Sequence, residues 1–178
     1  MKLSEIIAKD GIVVEKKAGE SVFFQGDSDQ HLYLLIDGLL KAYYTSEEGK
    51  VFIKSFIQQN EVIGSLSAAF GNNRCTYGVE CLLDCRLIKL PFAKLMDYSK
   101  GDLAISNEIN NLLIQLAMKK ERREYEFLCL SAEKRYLSLI EKSPALLKHV
   151  TQNDLAAYLG VTPVAYSRIK SRCLELVR

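Results

Sequence analysis

The chain has 178 residues, of which 48% are hydrophobic and 26% are charged, and its net charge is +2. These values are typical of a folded, water-soluble protein, and no apolar run approaches the ~20 residues of a membrane-spanning helix. The first residues include acids and no apolar run of signal-peptide length, so no secretory signal is predicted.

The five cysteines are Cys75, Cys81, Cys85, Cys129 and Cys173, an odd number in a chain without a predicted signal. This pattern predicts reduced thiols and a cytoplasmic protein. The spacing of the first three is not a usual zinc spacing, and both histidines are distant in sequence. We therefore expect no metal and no cofactor. No nucleophile–base set stands out either, so an enzyme is the least favoured class of function.

Glycines divide the N-terminal half of the chain into short strands. Eight of the ten glycines fall in the first 80 residues, between β-type runs such as HLYLLI and KVFIKSFI. Short strands with glycine turns are typical of a compact antiparallel barrel or roll, which we place at residues 1–101. TSEEGKVFI predicts a hairpin in which Gly49 supplies a positive φ. The Asp37–Gly38 pair predicts either a second tight turn or a bend between strands.

From Pro91 onward the apolar period becomes helical. A short helix at LPFAKLMDYSK precedes an uninterrupted helix over 102–131, which begins at the N-cap Asp102. Its apolar residues keep one stripe with 4-3-4 spacing, namely Ile105, Ile109, Leu112 and Leu116. The helix is too long for one small roll to cover, so we expect this stripe to pair with the same helix of a second chain. The alternative is that the stripe packs on the chain's own roll.

The stretch HVTQNDLAAYLGVTPVAYSRIKSRC predicts a helix-turn-helix within 132–178. Thr151 caps the first helix, Gly160 ends it, and Pro163 occupies the first position of the second helix. The exposed side of the second helix is the predicted DNA-binding surface, which contains Thr162, Val164, Ser167, Arg168, Lys170 and Arg172. After Ser143, five Lys and Arg, including Arg178, stand against two Asp and Glu, which favours an anionic partner.

In this order around a long helix, these segments resemble the bacterial transcription factors of the cAMP receptor protein and fumarate-nitrate regulator (Crp/Fnr) family. QGDSDQHLYLLIDGLLKAYYTSEEGKVFIKSFIQQNEVIGSL resembles the family's roll, and TQNDLAAYLGVTPVAYSRIK resembles its DNA-binding motif. The resemblance implies an α+β fold: an antiparallel β-roll of the cyclic-nucleotide-binding type (a double-stranded β-helix), a long dimerisation helix and a C-terminal helix-turn-helix. Family members often continue into a β-hairpin wing, which we expect to be absent because the chain stops at Arg178.

The loop IGSLSAAFGNNRCTY matches the segment with which this family binds cyclic nucleotides. Nucleotide binders of the family carry Gly-Glu-Leu and then Arg-Ser/Thr-Ala, and the candidate pocket residues here are Gly64, Ser65, Leu66, Arg74 and Thr76. Ser65 replaces the Glu, and Arg74 is one residue out of register, which in a strand would send its side chain to the opposite face. The long helix also has no Ser or Thr over 112–124. We expect the loop mainly to turn the chain and expect no high-affinity cAMP binding.

The interpretation that follows is a cytoplasmic homodimer that binds double-stranded DNA at a near-palindromic operator and regulates transcription, with no membrane attachment. RNA polymerase is a candidate partner. Arg168 is the predicted guanine reader, and Lys170, Arg172 and Lys148 are predicted phosphate contacts. Two alternatives stay open. One is a sensor whose DNA binding depends on a cyclic nucleotide or another, unknown small molecule. The other is a β-roll dimer without DNA-binding activity.

Overall fold

The computed structural model describes residues 3–71 and 73–176, and Arg178 lies outside these described residues. Its N-terminal half is a roll of two antiparallel sheets. The strands are β1 (Ile12–Lys16), β2 (Ser21–Phe23), β3 (His31–Asp37), β4 (Leu40–Thr45), β5 (Val51–Ile57), β6 (Val62–Ile63), β7 (Gly78–Cys81) and β8 (Cys85–Pro91). One sheet has the order β1-β8-β3-β6 and the other β2-β7-β4-β5. The predicted β-roll is confirmed.

The two predicted turns have different outcomes. Strands β4 and β5 pair from Leu40–Ile57 to Thr45–Val51, and Gly49 in the connecting turn has a φ of +77°, so the predicted hairpin is confirmed. Strands β3 and β4 belong to different sheets. The Asp37–Gly38 pair is therefore a bend that carries the chain from one sheet to the other, not a hairpin turn.

Four helices accompany the roll: α1 (Leu3–Asp10), α2 (Leu66–Phe70), α3 (Phe92–Gly101) and α4 (Leu103–Cys129). The long helix α4 has 27 residues, about 40 Å at 1.5 Å per residue. Its N-cap is Asp102, whose Oδ1 accepts the backbone N–H of Ala104 at 2.9 Å and of Ile105 at 3.3 Å. The helix and its cap are confirmed. Sequence analysis does not identify α1 or β1.

The first third of α4 is buried within its own chain. Helix α1, the roll and α4 share one apolar cluster, which contains Ile6, Ile7, Leu32, Leu90, Phe92, Leu95, Ile105 and Ile109. Because Ile105 is fully buried and Ile109 nearly so, the prediction that these two residues pair with a second chain is wrong. Leu112 and Leu116 continue the same helical face and are half-buried. Helices α1 and α3, together with the roll, cover the start of the stripe.

The C-terminal helices are α5 (Ala132–Lys142), α6 (Leu146–His149), α7 (Gln152–Leu159) and α8 (Pro163–Leu176). Their core is shared with the roll, because Leu39, Ile53 and Phe56 lie in the same apolar cluster as Leu155 and Leu159. The C-terminal helices thus pack directly on the roll. Among the described residues, no helix combines the length and the apolar character that crossing a membrane requires.

Candidate DNA-binding surface and effector loop

Helices α7 and α8 form the predicted helix-turn-helix. Thr151 caps α7, and its Oγ1 accepts the N–H of Asp154 at 3.1 Å. Gly160 ends α7 with a φ of +69°, and a Cβ at this position would lie 2.7 Å from the ring of Phe127. The left-handed backbone therefore favours glycine here, and a side chain would also have to displace the exposed Phe127 ring. Thr162 then caps α8 by accepting a backbone N–H at 3.2 Å.

Helix α8 has one buried face and one exposed face. Tyr166, Ile169 and Cys173 point into the shared core. The opposite face is exposed and contains Thr162, Val164, Ser167, Arg168 and Ser171. Sequence analysis does not identify Ser171, although it follows Ser167 by four residues, a spacing that places two side chains on the same helical face. The exposed face thus combines one cation, three hydroxyls and one apolar side chain.

The other two predicted DNA-binding residues flank this face. Lys170 is half-buried. Arg172 is exposed and forms an ion pair with Glu133 of α5 at 3.2 Å. To bind a phosphate, Arg172 would have to exchange this carboxylate, which is a weak restraint for an exposed pair.

Arg135 links the helix-turn-helix to the end of α4 by hydrogen bonds. Its guanidinium donates to the carbonyl oxygens of Phe127 at 3.2 Å, Leu130 at 2.6 Å and Leu159 at 2.9 Å. The three acceptors belong to the end of α4, the link to α5 and the end of α7. One side chain therefore ties three elements together, and hydrogen bonds from a charged donor are among the stronger ones.

The predicted pocket residues do not converge on one site. Ser65 is buried, and its Oγ accepts the N–H of Ala68 at 3.3 Å as the N-cap of α2. Arg74 lies at the surface, where it donates to Ser28 Oγ at 2.7 Å. Thr76 is exposed. The side chains of Ser65, Arg74 and Thr76 thus serve other contacts or are exposed at the surface.

The interior of the roll at this loop is filled by its own side chains. Cys75 and Tyr77 are buried in the core, and the Tyr77 ring lies 5.6 Å from that of Phe23. The Tyr77 hydroxyl donates to the carbonyl oxygen of Gly64 at 2.7 Å. Burial raises the pKa of Tyr77, so this donor stays protonated. Leu66 is half-buried and packs on the cluster around α1 and α3.

Two cavities open at the surface instead. One of about 370 Å³ lies between α2 and α3, beside His31, Phe70 and Met96. The other, of about 290 Å³, lies beside Lys16 and Cys85. The residues that line these two cavities include none of the predicted pocket residues. In the described part of the chain, no three His, Cys, Asp or Glu side chains are grouped as a metal site would require.

The family model of the cyclic nucleotide-binding domain matches residues 13–102, half of the chain, from β1 to the end of α3. The structure of FixK2 from Bradyrhizobium japonicum has the same fold over 93% of this chain and 85% of its own, with a TM-score of 0.81 and 13% identity. That coverage must include most of the C-terminal helices. The chain belongs to the cyclic nucleotide-binding domain family, and its fold is that of the Crp/Fnr regulators.

Two curated relatives of this chain are named as regulators. The anaerobic regulatory protein of Pasteurella multocida is 27% identical over 188 residues, which cover 97% of this chain and 67% of the relative. The nitrogen fixation regulation protein FixK of Bradyrhizobium diazoefficiens is 22% identical over 163 residues, which cover 87% and 68%. The chain thus spans about two thirds of the length of these relatives.

The second half of α4 exposes an apolar face. Ile114, Met118, Tyr125 and Leu128 are 53%, 54%, 59% and 74% exposed. Their spacings of four, seven and three residues place them on one side of the helix, opposite the stripe that begins at Ile105. A run of charged residues separates Met118 from Tyr125. The exposed apolar residues of α4 thus lie on the face opposite the predicted stripe.

Proposed function

We propose that the protein is a dimeric, sequence-specific DNA-binding regulator of transcription that needs no cyclic nucleotide. This proposal rests on one observation: one face of α8 is buried in the core and the opposite face is exposed. Tyr166 and Ile169 fix the helix to the core, while Ser167 and Arg168 are exposed on the other side. A helix held in this way can enter the major groove.

Arg168 is the proposed base-reading residue. A guanidinium can donate two hydrogen bonds to O6 and N7 of guanine, which is the commonest specific contact in the major groove. Thr162, Ser167 and Ser171 add hydroxyls for bases or phosphates, and Val164 suits a thymine methyl. Lys170, Arg172 and the exposed Lys148 flank the face and suit phosphates, which position the protein without selecting a sequence.

A homodimer through the exposed face of α4 would present two copies of α8. Apolar residues at roughly heptad spacing are the pattern by which two helices pair, and the exposed Ile114 and Met118 supply it. A two-fold dimer reads half-sites about 34 Å apart, so the operator should be a near-palindrome. The charged segment after Met118 limits the apolar contact to its two sides.

The loss of the nucleotide pocket is supported by where its residues lie. Ser65 serves as a helix cap, Arg74 is engaged at the surface, and Tyr77 occupies the interior. A cyclic nucleotide would have to displace a buried aromatic ring and would find no guanidinium for its phosphate. The free thiols of the described cysteines fit the reducing cytoplasm in which such a regulator works.

The experiment is selection of bound fragments from random DNA, with and without a panel of cyclic nucleotides. We expect one near-palindromic consensus that no nucleotide changes. Arg168→Ala should reduce affinity for this consensus roughly five- to 150-fold, the range for one base contact, and relax one base pair in each half-site. Arg86→Ala is the matched control, because Arg86 is an exposed arginine on β8 of the roll. It should change neither the affinity nor the base preference.

Two results would contradict the proposal. If no sequence is enriched under any condition, the chain does not recognise DNA and the β-roll dimer without DNA activity is the better description. If enrichment requires a cyclic nucleotide, the effector-dependent alternative is correct and the roll must open to admit the ligand.

A further inference from the structure

Lys41 connects the roll to the helix-turn-helix. It lies on β4, and its Nζ is 3.1 Å from Glu80 Oε1 on β7 and 3.3 Å from Asp154 Oδ1 on α7. The side chains of Lys41 and Asp154 are only 15% and 16% exposed. One nearly buried cation thus neutralises one carboxylate from each domain. Such a group is costly to bury unless both partners remain in place.

The ion pair lies at the edge of an apolar contact between α7 and the roll. Phe56 of β5 and Tyr158 of α7 have ring centroids 5.2 Å apart. Leu39 and Ile53 lie in the same cluster as Leu155 and Ala156 of α7. These apolar contacts hold α7 against the roll, but they are not directional. The Lys41 bridge adds a contact that is satisfied in only one register.

The other side of α7 is held by α4. The Arg123 guanidinium lies 3.9 Å from the ring centroid of Tyr158 and donates to the carbonyl oxygen of the same residue. Helix α7 is therefore clamped between the roll and the helix that carries the exposed apolar face. Helix α8 packs on α7 within the same core. A continuous series of contacts thus runs from α4 through α7 to α8.

From this arrangement we infer that Lys41 is a positioning residue for DNA readout: it fixes α7 on the roll and thereby sets the half-site spacing that the dimer accepts. This inference rests on the proposed function. With α7 fixed, the two recognition helices keep one separation and one rotation about the two-fold axis. With α7 free to shift, each helix can follow a displaced half-site, and spacing is discriminated less.

The charge on Lys41 persists across the pH range of DNA binding. Burial disfavours the ammonium form, but the hydrogen bonds and charges of Glu80 and Asp154 outweigh burial, so the pKa of Lys41 is raised. Asp154 is also held in place within its own helix-turn-helix, because its Oδ2 accepts a hydrogen bond from the hydroxyl of Thr151 at 3.0 Å. The bridge is therefore preorganised at both ends.

The test measures affinity for a set of DNAs that carry the selected half-site as a single copy or as inverted pairs with the spacing changed by one base pair. Wild-type affinity should fall at least about tenfold at the wrong spacing, comparable to the loss of one base contact. In Lys41→Met and in Asp154→Asn this penalty should fall about threefold or more, while single half-site affinity stays unchanged. Lys94→Met is the matched control, because Lys94 pairs with Asp10 at 2.9 Å within the roll domain.

The outcomes separate the inference from the proposed function. If the wild type binds none of these DNAs, the proposed function is wrong. If the wild type discriminates spacing and both bridge variants discriminate it equally well, Lys41 does not position the helices. A variant that loses single half-site affinity as well would assign the bridge to folding of the helix-turn-helix, which also overturns the inference. If Lys41→Met fails to fold, Asp154→Asn decides alone, since it removes the charge and keeps an acceptor for Thr151.

Discussion

Lys54 is a half-buried cation whose replacement should stabilise the protein. It lies on β5 with its Nζ 4.5 Å from the ring centroid of Tyr77, and none of the ion pairs in the described part of the chain includes it. Burial, with smaller contributions from the charges of Lys120 and Lys119, lowers its pKa from 10.5 to about 8. This shift corresponds to at most about 3 kcal/mol of destabilisation of the charged form.

The change to test is Lys54→Met, which keeps the length of the side chain and removes the charge. At neutral pH the variant should gain about 1–2 kcal/mol in free energy of unfolding, because loss of the cation–π contact offsets part of the relieved cost. Between pH 8 and 10.5 the unfolded wild type binds the additional proton, so wild-type stability rises with pH relative to the variant and the difference closes.

Urea unfolding at pH 7 and pH 10 measures both effects. Lys50→Met is the matched control, because Lys50 is exposed and its Nζ lies 4.9 Å from the ring centroid of Phe52. That control should change stability by only a few tenths of a kcal/mol at both pH values. The reasoning is refuted if Lys54→Met is less stable than wild type at pH 7, or if its advantage is the same at pH 10.

Three further predictions concern assembly, the roll and the turn. Ile109→Ala should cost about 2–5 kcal/mol of folding free energy in urea unfolding, because this side chain is buried within its own chain. Met118→Glu should leave the fold intact and yield monomers in sedimentation. A folded monomer from Ile109→Ala would instead place the dimer contact on the face of Ile109. Millimolar cAMP should leave the melting temperature unchanged, although binding at 100 times Kd would add about 2.7 kcal/mol, so a shift of several degrees would show that the roll admits the nucleotide. Gly160→Val should lower the melting temperature and abolish DNA binding, since both the positive φ and the Phe127 ring exclude a branched side chain; unchanged DNA binding would contradict this.

The parts of the fold that the sequence predicts correctly depend on neighbours along the chain. Gly160 ends α7 with a positive φ, Thr162 caps the helix that follows it, and Asp102 caps α4. Each of these signals involves residues within a few positions of one another, so their meaning does not depend on the tertiary structure. The hairpin at Gly49 belongs to the same class.

The dimer stripe could not be assigned correctly from period alone. A 3.6-residue period shows that Ile105 and Ile109 share a face but not which surface covers that face. The covering surface combines α3 and the roll with α1, an eight-residue helix whose Ile6 and Ile7 are distant from α4 in sequence. The exposed apolar residues after Ile114 carry an equally valid signal, but they are interspersed with charges and give a weaker periodic pattern.

The loop residues show a second limit of sequence reasoning. Register along the final strands indicates that Arg74 does not occupy the position of the family's arginine, and the structure places Cys75 inside the roll and Arg74 outside. Alternation of side chains accounts for both placements. Two other features depend on distances across the roll, which no local pattern contains. Tyr77 fills the interior, and Ser65 caps a helix rather than facing a ligand.

The filled roll and the clamped helix-turn-helix point to the same mode of regulation. A ligand can shift a conformational equilibrium only by its difference in affinity between two states. In this chain the Tyr77 ring already occupies the interior, and Lys41 and Arg123 already hold α7 in place. We therefore expect that a cyclic nucleotide would have to displace the Tyr77 ring before it could favour another arrangement. In the proposed regulator, occupancy of the operator is then set by protein concentration and by pairing through α4, so conditions that change the amount of dimer would control transcription.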